Sequence, residues 1–359
     1  MAEAAMGRPA TAARAATPVL EVTGLTKYFP VGGLLASAQV HALEDVSFTI
    51  GRGEVVAVVG ESGSGKSTTA RLVARLMAPT SGEIRLNGVD VLAAEPKRPS
   101  LSYRSKVQMV FQDPFGSLNP IHTIGHHLAR PLKIHGKAKG KGETRDKTHE
   151  LLGTVGLNPP ADYARKFPHE LSGGQRQRVA IARALAADPV LLLADEPISM
   201  LDVSIRMGVL NLMERLKEER GLSYLYITHD LASARYIGDR THVMYAGRMV
   251  EGAPSQELVS EPAHPYTKLL LSAVPNPAEA RTTIEARGEV PSLVNPPPGC
   301  PFASRCPEVM DVCRQVMPGI EHVTANHWVR CHLYGPGEAS PPNHGATASP
   351  YAGAKAPGL

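Results

Sequence analysis

The chain alternates runs of aliphatic residues with stretches in which apolar residues recur at helical spacing. Residues 54–59, 190–194 and 222–228 are apolar runs bounded by glycine, proline or polar residues, and they predict buried strands. Residues 107–112 predict a further strand, and the stretch after residue 67 has helical spacing. Strands and helices in this order predict an α/β fold. The chain shows no internal repeat, so we expect one such unit.

Shorter β patterns flank this part of the chain. Residues 19–50 alternate loosely between apolar and polar positions, which predicts short strands. Residues 27–33 interrupt them with a predicted turn that carries two adjacent aromatic residues, Tyr28 and Phe29. Residues 242–251 predict a hairpin around an Ala-Gly pair.

A glycine-rich loop joins the first aliphatic run to the helix that follows it. It reads GESGSGKS and fits the phosphate-binding pattern G-x-x-x-x-G-K-[ST], in the strand–loop–helix context that this motif requires. Glycines let the backbone approach an anion, which the helix N-terminus also attracts. Lys66 is expected to reach the β- and γ-phosphates, and Ser67 to bind Mg²⁺. The residues expected to bind ATP in this loop are Gly60, Glu61, Ser62, Gly63, Ser64, Gly65, Lys66, Ser67 and Thr68.

Four polar residues stand at the ends of predicted strands. Asp195 ends an apolar run and is suited to hold Mg²⁺, and Glu196 follows it and is suited to face an attacking water. Gln112 and His229 each end another predicted strand. Because ligands bind at the carboxyl ends of parallel strands, we expect these four side chains to converge with Ser67 on one crevice. Such a set can support ATP hydrolysis.

A second glycine turn precedes the run at 190–194. Residues 171–178 read LSGGQRQR, with Ser172 at the expected N-cap of a helix. Together with GESGSGKS and LLLADEP, this motif resembles those of the ATP-binding-cassette (ABC) ATPases. The resemblance covers about residues 19–270. It implies an α/β P-loop fold with a mixed central sheet, an antiparallel β subdomain, a helical subdomain at about 113–185 and a nucleotide-binding domain at 18–270.

The resemblance implies roles for the residues that match the family's motifs. Glu196, His229 and Gln112 match the catalytic glutamate, the switch histidine and the Q-loop residue, and Asp195 matches the Walker B aspartate. The implied activity is ATP hydrolysis with Mg²⁺, which would be held by Ser67, Gln112 and Asp195.

Three further sites follow from the same resemblance. Phe29 fits the adenine-stacking aromatic better than Tyr28 by position. The D-loop runs from Ser199 to Asp202, with Met200 where a small residue is more usual. In the family, the LSGGQ signature faces the ATP of a second cassette. The signature residues here are Leu171, Ser172, Gly173, Gly174 and Gln175.

Two other segments resemble the oligopeptide/dipeptide importer branch of the family: DPFGSLNP at 113–120 and HPYTKLL at 264–270. The YFPV segment at 28–31 resembles the second of the two paired ATPases of such systems. The resemblance implies a subunit that energises peptide import, with a related ATPase as heterodimer partner, two permease subunits and a substrate-binding protein. Oligosaccharide or nickel as cargo stays open, as do a soluble ABC ATPase without a transport role and a redox-regulatory module.

All four cysteines lie near the end of the chain, at Cys300, Cys306, Cys313 and Cys331. Isolated buried cysteines, a zinc site and an iron–sulfur cluster are the open interpretations. Clustering argues against the first, the lack of C-x₂-C pairs argues against zinc, and iron–sulfur clusters accept four thiolates at varied spacing. The extension of peptide-importer ATPases resembles this segment and in some members holds a [4Fe–4S] cluster, which the resemblance therefore implies as a cofactor.

Composition and charge limit the location and the partners. The chain has 359 residues and a net charge of +4, which is too small to indicate a nucleic-acid partner. Its apolar runs are too short to span a bilayer, so any membrane role must come through a partner. The resemblance to importer ATPases implies a peripheral subunit at the cytoplasmic face of the inner membrane. Residues 1–17 and 335–359 are expected to be disordered, and 271–334 to form a cysteine-containing extension. The basic stretch at 133–147 is expected to be a solvated loop.

Overall fold

The computed structural model describes residues 17–32, 38–273 and 291–335. Apart from residues 17 and 335, the termini that we expect to be disordered lie outside these ranges. The strands within them are β1 (Leu20–Val31), β2 (Ala38–Ile50), β3 (Val55–Val59), β4 (Ser81–Leu86), β5 (Val89–Asp90), β6 (Val107–Val110), β7 (Leu191–Asp195), β8 (Ser223–Thr228), β9 (Arg240–Tyr245), β10 (Arg248–Pro254), β11 (Glu321–Thr324) and β12 (His327–Val329).

Helices separate most of these strands along the chain. In the described ranges they are α1 (Lys66–Val73), α2 (Val91–Ala94), α3 (Leu101–Lys106), α4 (Pro114–Ser117), α5 (Ile124–Ile134), α6 (Lys141–Thr154), α7 (Pro160–Arg165), α8 (Gly173–Leu185), α9 (Val203–Arg220), α10 (Leu231–Ile237), α11 (Ser255–Ser260), α12 (Pro265–Ser272) and α13 (Asp311–Gln315).

The larger sheet is mixed and has the strand order β11-β12-β10-β9-β3-β8-β7-β6 in the part of the chain that the structure describes. Strands β9, β3, β8, β7 and β6 are parallel to one another, whereas β10, β12 and β11 continue the sheet in antiparallel fashion. Every residue of β3, β7 and β8 is buried. Strands buried on both faces read as continuous apolar runs rather than as an alternating pattern, which explains why the sequence predicts them so clearly.

A second, antiparallel sheet has the order β2-β1-β4-β5 among the described residues. Its inner face packs on α1 and on one face of the mixed sheet, in a core that includes Leu20, Val46, Val58 and Leu72. The predicted turn at 27–33 is wrong for residues 27–31. These residues belong to β1, which continues to Val31 and pairs there with Ala38.

The region between β6 and β7 is helical in the described residues, from α4 to α8. The loop expected at 133–147 is wrong outside residues 135–140, because α5 ends at Ile134 and α6 begins at Lys141. Most of the stretch is exposed, as expected. Three of the basic side chains there make surface ion pairs, such as Lys147 with Glu143 at 2.8 Å.

The end of the described chain returns to the mixed sheet. Strand β12 pairs with β10, and β11 pairs with β12, so the extension lengthens the sheet at one edge. Together, the mixed sheet, the antiparallel sheet, the helices and the cysteine-containing extension confirm the predicted fold class.

Candidate functional site

The glycine-rich loop connects β3 to α1 and is held in shape by its own lysine. The Nζ atom of Lys66 donates to the carbonyl oxygens of Gly60 and Glu61 at 2.7 and 2.8 Å and lies 3.4 Å from Oγ of Ser64. Burial lowers the pKa of Lys66, and the nearby Glu196, Asp195 and Glu61 carboxylates act in the opposite direction. A buried cation whose partners are backbone carbonyls is well placed to take phosphate oxygens instead.

Glycine is required at residue 60 for a steric reason. A Cβ atom there would lie 2.1 Å from the carbonyl oxygen of Met244, which belongs to the neighbouring strand β9. The φ angle of 107° at Gly65 is one that glycine favours, and α1 begins at the next residue. The backbone N–H groups at the start of that helix therefore face the loop's concave side.

Ser67 and Asp195 form the oxygen pair expected at a Mg²⁺ site. The Ser67 hydroxyl donates to Oδ1 of Asp195 at 2.8 Å, from the first turn of α1 to the end of β7. Burial raises the pKa of Asp195, which the Ser67 hydrogen bond opposes. Mg²⁺ usually binds one or two protein oxygens together with phosphate oxygens, so this donor set fits the ion.

Glu196 lies at the centre of a second polar group. Its Oε2 atom accepts from Nε2 of Gln112 at 3.4 Å and lies 3.0 Å from Nδ1 of His229. Glu196 has a φ angle of 46°, so the direction of its side chain is set by a left-handed backbone conformation and not by the alternation of an extended strand. The structure thus brings Gln112, Glu196 and His229 together, beside the Ser67–Asp195 pair.

An open cleft of about 350 Å³ lies over these groups. Its lining residues are Phe29, Val40, Ala42, Ser62, Gly63, Gly65, Lys66, Ser67, Thr68, Gln112, Glu196 and Leu293. Phe29 is thus at the cleft, whereas the Tyr28 ring stacks on His41 with centroids 4.0 Å apart and does not line it. Neighbouring residues on a strand face opposite ways, which separates these two aromatic side chains.

The sequence gives no indication that Val40, Ala42 and Leu293 line the cleft. Val40 and Ala42 belong to β2, whose apolar pattern is that of any half-buried strand. Leu293 comes from a segment some 250 residues away from β2, and only the folded chain brings it there.

The signature segment begins α8. Ser172 is the N-cap: its hydroxyl accepts from the Gln175 N–H at 3.3 Å, and the Gln175 side chain accepts from the Ser172 N–H at 3.0 Å. Leu171 and Gly174 are buried, while Ser172 is exposed. None of the signature residues lines the described cleft. An exposed helix N-terminus with glycines can bind a phosphate that another molecule presents.

The D-loop begins three residues after Glu196. The Ser199 hydroxyl donates to the Glu196 carbonyl at 3.0 Å, and Asp202 is the N-cap residue of α9. Met200, in the D-loop, has 54% of its surface exposed, so its apolar side chain is accessible to solvent.

The four cysteines line one small cavity between α12 and the extension, with a volume of about 10 Å³. All four are free thiols, and within residues 17–32, 38–273 and 291–335 no group of three or more His, Cys, Asp or Glu side chains is arranged to hold a metal ion. Burial raises the pKa of Cys300 to about 11 and that of Cys331 to about 12. The donor set suits an iron–sulfur cluster, but the cavity has room for only about one water molecule, so a cluster needs the walls to move apart.

Comparisons with known proteins agree with this geometry. The model of the ABC transporter family matches residues 43–199, and that of the oligopeptide/dipeptide transporter C-terminal region matches residues 250–313. The oligopeptide transport ATP-binding protein AppF of Bacillus subtilis is 46% identical over 88% of this chain and 97% of its own length. The dipeptide transport ATP-binding protein DppF of Haemophilus influenzae is 47% identical over 88% of this chain and 96% of its own length.

Solved structures give the same result for the nucleotide-binding part. The dimeric, post-hydrolysis structure of the ATP-binding cassette MJ0796 with ADP and Pi is similar at a TM-score of 0.57 and 31% identity. It covers 66% of this chain and 98% of that one. No helix in the described ranges is long and apolar enough to cross a membrane.

Proposed function

We propose that this chain, which belongs to the ABC transporter family, is the ATP-hydrolysing subunit that energises the import of di- or oligopeptides through a membrane transporter. The observation that carries the proposal is the convergence of Lys66, Ser67 and Glu196 on one cleft, with Asp195 hydrogen-bonded to Ser67. The peptide cargo is inferred from the relatives that carry the same C-terminal region.

The proposed chemistry assigns each polar group a task. Lys66 leaves its carbonyl partners and binds β- and γ-phosphate oxygens, while Phe29 stacks on the adenine. Ser67 and Asp195, with Gln112, would hold Mg²⁺, which would neutralise charge on the phosphates. Glu196 orients or activates the attacking water, and His229 holds the Glu196 carboxylate in place and faces the γ-phosphate.

Hydrolysis is proposed to need a second cassette. The serine-capped N-terminus of α8 would bind the γ-phosphate of ATP that is held by the partner's P-loop, which adds attraction between the two chains. Cleavage of that phosphate removes the attraction, and the two cassettes separate. The partner is proposed to be a related ATPase, in a heterodimer that also engages two permease subunits and a substrate-binding protein at the cytoplasmic face of the membrane.

Purification of the tagged chain from membranes tests this assignment. We expect hydrophobic permease subunits to come with it, and ATP hydrolysis by the complex to rise when a peptide-loaded binding protein is added. Recovery of the chain without permeases would instead favour a soluble ABC ATPase. So would an ATP hydrolysis rate that does not change when the binding protein is added. Stimulation by an oligosaccharide- or nickel-loaded binding protein alone would change the cargo and leave the mechanism intact.

The extension is proposed to hold an iron–sulfur cluster on Cys300, Cys306, Cys313 and Cys331. Its support is the four thiols on one cavity and the varied spacing that such clusters accept. Visible absorbance and iron content of protein purified without oxygen test this proposal. Colourless, iron-free protein with four alkylatable thiols would show that the cysteines have a purely structural role. One zinc ion per chain would show a zinc site in place of an iron–sulfur cluster.

A further inference from the structure

We infer that the C-terminal extension completes this chain's own nucleotide site, because Arg305 neutralises and positions the P-loop residue Glu61. The inference goes beyond the proposed function, which uses neither residue's side chain for chemistry. Arg305 touches neither substrate nor metal in this account. It is a positioning residue that acts through the loop.

The contact between Arg305 and Glu61 has the geometry of a strong ion pair. The Nη1 and Nη2 atoms of Arg305 donate to the two carboxylate oxygens of Glu61 at 2.9 and 3.1 Å. The Arg305 side chain is only 8% exposed and that of Glu61 is 29% exposed. A bidentate guanidinium–carboxylate contact that is this little exposed to solvent fixes both the distance between the two groups and their relative orientation.

Aromatic residues from the body of the protein and from the extension surround Arg305 in turn. The guanidinium lies 3.3 Å from the Tyr245 hydroxyl, and Phe302 packs against Tyr245 and Tyr266 with ring centroids 5.3 and 5.4 Å away. The Tyr266 hydroxyl accepts from the Glu61 backbone N–H at 2.9 Å. Glu61 is therefore held at its side chain and at its backbone by residues that lie far along the chain.

Glu61 matters because of its position relative to the phosphate lysine. Its carbonyl oxygen is one of the two that hold Nζ of Lys66, and its carboxylate contributes to the electrostatic field at that ammonium group. A carboxylate without a counter-charge at this place would repel a triphosphate. The positive charge of Arg305 cancels that repulsion, and the fork geometry keeps the loop in one conformation.

The extension also contributes to the wall of the cleft. Leu293 lines it beside Phe29, and its carbonyl accepts from the His41 N–H of β2 at 2.8 Å. The Asn295 N–H donates to the Gln39 carbonyl at 3.0 Å. Two separate parts of the extension thus meet the nucleotide site, one at the P-loop residue Glu61 and one at the wall of the cleft, which supports a role in nucleotide binding rather than in sheet stability alone.

Binding of a fluorescent ATP analogue to the full-length chain, with denaturant unfolding measured in parallel, tests the inference. Arg305→Gln is expected to weaken binding about tenfold, a typical size for coupling between neighbouring sites. Adding Glu61→Gln to that variant removes the unpaired carboxylate, and the double variant is expected to recover most of the affinity. Arg305→Lys keeps the charge and is expected to lie between wild type and Arg305→Gln.

Arg330→Gln is the matched control. Arg330 lies in another part of the extension and pairs with Asp45 of β2 at 2.7 Å, so its loss should leave ATP affinity unchanged. In the assembled transporter, Arg305→Gln should raise KM for ATP and leave kcat near that of wild type, because Glu196 and His229 are untouched.

Wild-type affinity in Arg305→Gln would overturn the inference, as would a double variant that binds as weakly as Arg305→Gln alone. If Arg305→Gln does not fold, Arg305→Lys with unaltered affinity and unaltered KM would overturn it. A wild-type chain that binds no ATP would contradict the proposed function instead, so the two failures are distinguishable.

Discussion

Among single residues, Glu196 shows most clearly how the backbone and the chemistry are linked. It follows the buried strand β7 in a left-handed conformation, and its backbone N–H still donates to the Ile227 carbonyl of β8 at 2.9 Å. The sheet thus anchors the residue while the turned backbone presents its carboxylate to Gln112 and His229. A carboxylate with this support is suited to orient water, since its position varies little.

Replacing Glu196 by Gln tests this role. The amide keeps the size of the side chain but cannot accept a proton, so we expect hydrolysis to fall about 10²- to 10⁴-fold while ATP binding persists. Single-turnover hydrolysis and binding of a fluorescent nucleotide measure the two effects separately. Glu219→Gln removes an exposed carboxylate on α9 and serves as the control. Near-normal turnover in Glu196→Gln would contradict the role.

At the scale of elements, the N-terminus of α8 depends on close packing against α9. A Cβ atom on Gly174 would lie 2.4 Å from Cγ2 of Ile205, whereas one on Gly173 would lie 3.6 Å from Leu201, an ordinary contact. Ile is stiff at χ1, so a methyl group at residue 174 must push the two helices apart. The signature sequence therefore sets a helix–helix distance in addition to its capping role.

The two adjacent glycines provide a matched pair of variants. Gly174→Ala is expected to destabilise the chain by roughly 1–3 kcal/mol, as overpacking does. Gly173→Ala is expected to be neutral or to stabilise by up to about 1 kcal/mol, because alanine favours a helix. Denaturant unfolding measures both free energies. Equal effects of the two substitutions would contradict the packing argument.

Strand β12 docks on the body through a buried charged pair. Nε2 of His327 lies 2.7 Å from Oε1 of Glu251 in β10, and Glu257 of α11 lies 3.5 Å from Nδ1. Burial acts to lower the pKa of His327, but the hydrogen bond and charge of Glu251, with help from Glu257, outweigh it, and the pKa is raised. Glu251 also accepts from the Ala263 and His264 N–H groups at 2.7 and 3.0 Å, which fix the position of its carboxylate.

This pair predicts how stability depends on pH. A histidine whose pKa is raised on folding contributes stability that is present below its unfolded pKa, about 6.5, and is lost as pH rises through the folded value. The free energy of unfolding of wild type should therefore exceed that of His327→Gln by the largest amount at about pH 6. This difference should become smaller as the pH rises. Denaturant unfolding across this range measures the difference. A gap that stays constant or widens with pH would contradict the pairing.

At the scale of the whole molecule, local patterns and long-range contacts contribute different parts of the site. The P-loop, Asp195 and the serine cap could be predicted because each depends on a few consecutive residues in a strand–loop or loop–helix context. The length of β1 and the helices within 133–147 could not be predicted. Residues Phe29 to Val31 are fixed by pairing with β2, and α6 is held by buried residues such as Thr144 and Leu151 among its lysines. Leu293 and Arg305 have no local signal, because their roles come from residues some 250 positions away.

The same contrast applies to the cysteines. Their clustering in the sequence correctly places them on one cavity, but spacing does not determine how far apart the sulfur atoms lie. The structure therefore supports a shared environment for the thiols, and the nature of any bound group depends on the iron and zinc measurements above.

The central claim is that ATP cleavage at this chain's site drives peptide across a membrane. The most direct measurement is uptake of labelled peptide by vesicles that carry the complete transporter, with ATP on the side of this chain and the peptide-loaded binding protein on the other. The account predicts accumulation on the ATP side with the wild-type chain, and a fall to the level seen without ATP when Glu196 is replaced by Gln. Uptake at the wild-type rate in that variant, or uptake that does not depend on ATP, would contradict it.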